Sequence, residues 1–143
     1  MKKACQLSRD VRASVAVEFS LLAPAFFLLL FGVFQVGVGL QNYNALRGTS
    51  ADVARYAMVQ YATGNRLSQA QLQSYAVAVG RSTPYLLNNS TLTASVVTAT
   101  NQRVTGASEL TLRVSYQIDS LIPGLGLNGP FISYSRPMFV SST

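Results

Sequence analysis

Enzymatic chemistry needs side chains that exchange protons, attack as nucleophiles or hold metals, and this chain has few of them. Its 143 residues include five carboxylates, one cysteine and no histidine. The commonest general base and the commonest metal ligand are therefore missing. Asp52, Glu109 and Asp119 are the acids beyond residue 40, and nothing in their spacing pairs two carboxylates in one cleft, as acid–base catalysis requires. All three read as solvated surface. Cys5 cannot form an intrachain disulfide, and a lipid-anchored reading of it fails because the apolar region follows the cysteine instead of preceding it. The chain reads as non-enzymatic, with no catalytic residue, cofactor or metal site.

Glu18 is the acid whose position demands an explanation. It stands at the mouth of an apolar run from Phe19 to Leu40, in which Ser20 and Gln35 are the clearly polar residues. A carboxylate at the centre of a spanning helix costs about 2.5 to 3.5 kcal/mol and less toward the interface, so Glu18 is tolerable there and calls for a partner. The alternative is a Glu18 that lies in the headgroup layer and is satisfied by water.

Two motifs resemble functional sites and are weak. Gly124-Leu125-Gly126-Leu127-Asn128-Gly129 spells GxGxxG, but Pro123 and Pro130 bracket it, Phe131 to Ser135 reads as strand, and no βαβ unit surrounds it. With Leu121, Ile122, Leu125 and Leu127 it reads as an apolar loop, offered either to another subunit or to its own core. Asn88 and Asn89 each open an N-x-[ST] sequon, which we read as chance.

The elements that position Glu18 begin with the span. As a helix, Phe19 to Leu40 is roughly 33 Å long at about 1.5 Å per residue, which matches a hydrocarbon core of about 30 Å. A secretory signal with cleavage near Gly37-Val38-Gly39 and a buried core helix are the competing readings. Lys2, Lys3, Arg9 and Arg12 precede the run, against Arg47 and Arg55 shortly after it. The positive-inside bias leaves the N-terminus cytoplasmic and the C-terminal domain outside. The net charge of +6 does not point to nucleic acid, since the seven basic residues beyond the run are scattered singly. Pro24 removes a backbone donor early in the helix and is a candidate kink. Gly32, Gly37 and Gly39 offer close approach to neighbouring helices.

Beyond the span, the pattern predicts an α+β domain. Leu46, Val53 and Ala57 form a helical stripe within residues 41–62, with Gly48 as a weak point and Gly64-Asn65 as a stop. Ser68 caps a second helix from Gln69 to about Val79, which carries Leu72, Tyr75 and Ala76 on one face, and Gly80 to Pro84 ends it. Period-two alternation then gives a strand around Leu92 to Val96 and a stronger one from Leu110 to Ile118, joined by a hairpin through Thr100 to Ser108. A third strand is expected from Phe131 to Ser135, with Pro137 pushing the residues after it to an edge. The expected organisation is a basic leader over 1–13, a membrane helix over 14–40, and an exported head over 41–143, with helices packed on a small antiparallel sheet.

These residues resemble a family. Ser14-Val15-Ala16-Val17 followed by Glu18-Phe19 and an early Pro24 is similar to the N-terminus of TadE-like proteins, the minor pseudopilins of the tight-adherence (Tad) branch of type IV pilus machinery. The likeness continues through Asn44-Ala45-Leu46 and Ala54-Arg55-Tyr56-Ala57, and covers about the first 60 residues. It implies a pilin-like fold and cleavage by a prepilin peptidase between Ala13 and Ser14, where the family usually has Gly before the cut. It also implies that the Glu18 carboxylate meets the N-terminal amine of a neighbouring subunit and sets register, with Phe19 beside it. The implied partners are the peptidase, other pilins and pseudopilins, the inner-membrane pilus platform and the membrane itself. The implied location is the bacterial inner membrane with the head in the periplasm, incorporation into the pilus being left open. A filament-building pilin and a signal-anchored extracellular binding domain are the alternatives.

Overall fold

The computed structural model describes residues 11–88, 90–119 and 129–141. Among the described residues, two helices and three strands succeed one another in the order α1 (Val11–Ala62), α2 (Gln69–Arg81), β1 (Leu92–Thr98), β2 (Ala107–Gln117) and β3 (Phe131–Ser141). The expected α+β arrangement is found. The chain divides into two compact units, Met1–Val36 and Gly37–Thr143.

In the first unit, α1 is helical from Val11 and carries Pro24 in its interior. This helix, near the N-terminus, is long and apolar enough to cross a membrane. Its large apolar side chains from Val15 to Val36 are solvent-exposed within the chain.

The second unit is built around β2. β1 and β3 both pair antiparallel with it, giving the order β1-β2-β3. Alternation along β2 sends Leu110, Leu112, Val114 and Tyr116 to one face, where they are buried. The same face takes Leu92 and Val96 from β1 and Met138 and Val140 from β3. Leu46, Val53, Ala54 and Ala57 of α1 and Leu72 and Ala76 of α2 close the core. Burying a large apolar side chain contributes about 1.5 to 3 kcal/mol, so this face dominates the head's stability.

Local chemistry sets the element ends. The Ser68 hydroxyl accepts from the Gln71 backbone N–H at 3.2 Å, and the Gln71 side chain accepts from the Ser68 backbone N–H at 2.8 Å. This is a reciprocal capping box, worth about 1 kcal/mol. α2 runs to Arg81, two residues past the expected Val79, because Gly80 is packed inside the helix. A Cβ on Gly80 would lie 2.8 Å from Leu92 Cδ2, so the small residue lets α2 approach β1. Gly48 has a similar reason: a Cβ there would run into the Tyr85 ring. The helical weakness of glycine is offset by that contact.

The third strand differs from expectation. β3 continues through Pro137 to Ser141, with Pro137 opposite Thr111. The whole strand lies on an edge of the sheet, where the donor that proline lacks need not cost a ladder bond.

Asn88 Oδ1 accepts from the Ser90 backbone N–H at 3.2 Å and from its hydroxyl at 3.1 Å, so this sequon asparagine builds the turn into β1. Asn89 lies outside the described residues, as do residues 124–128 of the GxGxxG string and its neighbours Leu121 and Ile122. The last glycine of that string, Gly129, has a packing role. A Cβ on it would collide with the Ile118 carbonyl oxygen, and Ile118 N–H donates to Pro130 O at 3.1 Å. Glycine is needed here because the two limbs of the β2–β3 connection meet backbone to backbone.

Candidate functional site

The N-terminal part of α1 holds every residue singled out for assembly. Ala13 and Ser14 both lie within α1. Ser14 Oγ donates to Glu18 Oε1 at 3.2 Å, a contact between neighbours one helical turn apart. Both side chains are exposed. Phe19 comes next in the chain, with 69% of its surface exposed.

Pro24 sits one turn after Ser20, whose carbonyl is the one deprived of its N–H partner by the ring. The Ser20 hydroxyl in turn donates to Ala16 O at 2.6 Å. The helix continues through Pro24.

Further along, Phe26 meets Phe27 edge-on with ring centroids 6.0 Å apart, and Phe27 stacks on Phe31 at 6.4 Å. A Cβ at Gly32 or Gly37 would touch nothing within 4 Å, so both glycines are open to a neighbour. Gly39 is different. Ile118 Cδ1 of the same chain lies 3.5 Å from its would-be Cβ, so this glycine already faces its own head. Such a helix can bury its apolar surface in lipid or against other helices, and the carboxylate near its start can receive a cation.

Two polar clusters in the head depart from the sequence reading of its acids. Glu109 is buried at 5% exposure instead of solvated. Arg103 Nε donates to Glu109 Oε2 at 2.9 Å and to Oε1 at 3.1 Å, and Arg103 Nη2 bonds Oε1 as well. The Arg103 guanidinium also lies 5.4 Å from the centroid of the Phe139 ring. Those hydrogen bonds hold the Glu109 carboxyl below the usual carboxylate range, against the opposing push of burial, and the carboxylate raises Arg103 in return. Asp52 is half-buried and accepts from the Tyr85 hydroxyl at 2.8 Å, with Arg55 Nη1 at 3.9 Å. Burial raises the Tyr85 phenol first, and its bond to Asp52 adds to the rise. Asp119 is exposed, as expected.

Both clusters are local hydrogen-bonded pairings. Each holds one acid against one or two donors, and among the described residues no three metal-ligating side chains come together. Their work is to fix the β1–β2 hairpin and the α2–β1 connection. The sequence carried no signal for either, since Arg103 reaches Glu109 only when the hairpin closes, and Phe139 arrives from β3.

The family of TadE-like proteins has a model that matches residues 13–55. The matched stretch takes in Ala13, Ser14, Glu18, Phe19 and Pro24 and runs into the part of α1 that carries the core residues Leu46 and Val53. No curated protein and no solved structure matches the chain.

Proposed function

We propose that this chain, TadE-like over its N-terminal helix, is a minor pseudopilin of a tight-adherence type IV pilus that acts in pilus assembly and initiation and thereby in surface adherence. It has no enzymatic activity of its own. A prepilin peptidase cuts between Ala13 and Ser14. The mature chain stays in the bacterial inner membrane as a single pass, with its N-terminus on the cytoplasmic side and its head in the periplasm. Other pilins, pseudopilins and the inner-membrane platform are its partners.

The observation that carries this reading is Glu18. It is an exposed carboxylate bonded to Ser14, on a helix whose large apolar side chains are exposed from Val15 to Val36. After the cut, Ser14 carries a new positive amine at a helix N-terminus, four residues from a carboxylate. One chain's amine and another's Glu18 then attract strongly in a low-dielectric setting, and the positive end of the helix dipole favours the carboxylate further. The pairing fixes one axial register between neighbouring helices.

Deleting the chain from its host and returning it on a plasmid tests the role. Surface pili and adherent cells are expected to fall strongly on deletion and recover on complementation. Unchanged pili and adherence after deletion reject the assembly role.

A further inference from the structure

The head unit begins inside the apolar run, at Gly37, before the run ends at Leu40. Val38 is half-buried against the head's core, and Gly39 meets Ile118. Tyr43, one turn on from Gly39, packs edge-on against Tyr134 of β3 with centroids 5.9 Å apart. The end of the sheet where β2 passes into β3 is therefore packed directly on the last residues of the apolar run, with no linker between. At that end Phe131 stands opposite Gln117 with 66% of its surface exposed.

From these contacts we infer that Phe131 and the Tyr43–Tyr134 pair form a membrane-contact surface, seated in the headgroup and upper acyl region of the outer leaflet. The occupant is set by continuity: a helix that leaves the hydrocarbon near Leu40 brings whatever is packed on Val38 and Gly39 to the same depth. Aromatic side chains favour that layer because they present an apolar body and, in tyrosine, a polar tip. The far end of the sheet stays in water. Val97 lies opposite Thr111, six β2 positions from Gln117, so about 20 Å away at about 3.3 Å per residue. The seating orients the head and limits its freedom to rotate before it meets a partner.

The inference rests on the reading of residues 14–40 as a membrane span, and the test separates the two. Full-length protein with Cys5 replaced by Ser is given one cysteine at a time, Phe131→Cys, Val97→Cys or Leu29→Cys. Each is spin-labelled and reconstituted in phosphatidylethanolamine–phosphatidylglycerol vesicles, and collision with oxygen is compared with collision with a water-soluble nickel chelate. The oxygen-to-nickel ratio is expected to be highest at Leu29, lowest at Val97, and several-fold above Val97 at Phe131. A ratio at Phe131 equal to that at Val97, with Leu29 in lipid, overturns the contact surface alone. Low collision with both reagents at Phe131 overturns it in favour of protein cover. A label at Leu29 that meets the nickel chelate freely overturns the span and the contact together.

Discussion

Replacing Glu18 by Ala is expected to abolish or severely reduce pilus assembly while leaving the chain in the membrane. Insertion does not suffer, because removing a carboxylate makes the helix cheaper to insert. Assembly suffers because the partner's amine is left unpaired in a low-dielectric setting, where breaking a buried pair from one side costs about 3 to 5 kcal/mol. At about 1.4 kcal/mol per tenfold, that is a loss of more than about a hundredfold in association. Two further variants locate the cause. Glu18→Gln keeps the shape and can still accept from Ser14 Oγ, so it fails like alanine if charge is what matters. Glu18→Asp keeps the charge on a shorter arm and is expected to retain part of the activity. Pili counted by electron microscopy and crosslinks between N-terminal helices are the readouts. Normal piliation and crosslinking in Glu18→Ala would remove the register role.

Leu112→Ala is expected to be the most damaging truncation in the head. Leu112 lies on the central strand between Val96 of β1 and Arg136 of β3, and it is 0% exposed. Large-to-small changes at such sites cost about 2 to 5 kcal/mol, against a total domain stability of about 5 to 15 kcal/mol. For a head of this size, each kcal/mol lowers the melting temperature by about 4 to 8 °C. The neighbouring Thr111→Ala is a control from the opposite face, with an expected cost under about 1 kcal/mol. Thermal melts of the detergent-solubilised protein monitored by circular dichroism decide it. Equal shifts for the two variants would mean that the core does not lie on the Leu112 face.

How much of the head was legible in sequence depends on the range of the physics involved. The alternation from Leu110 to Ile118 and the Ser68 cap are local, so residues a few positions apart determine them. The reason for Gly48 lies at Tyr85, the reason for Gly129 at Ile118, and the partner of Glu109 across a closed hairpin. None of these leaves a pattern within a helical or strand period. Pro137 marked the edge correctly but not the strand's length: a proline ends pairing only if its outer side is to be paired, and on this edge β3 continues through it to Ser141.

The residues proposed for assembly could be singled out for the opposite reason. Ala13, Ser14, Glu18, Phe19 and Pro24 lie within one short segment, and their meaning rests on sequence order along a single helix. In the proposed pairing Glu18 meets a group of another molecule, which neither the order of residues nor the fold of one chain displays. The Ser14 contact within the helix is the part a single chain can show.

The central claim is that this is a processed, membrane-held subunit whose mature helix starts four residues before Glu18. Intact-mass measurement of the chain extracted from its own membranes, with the N-terminus sequenced, tests it most directly. A single species beginning at Ser14 is the predicted result, with the precursor accumulating when the prepilin peptidase is removed. A chain that still begins at Met1, or one that begins near Leu40, would contradict it.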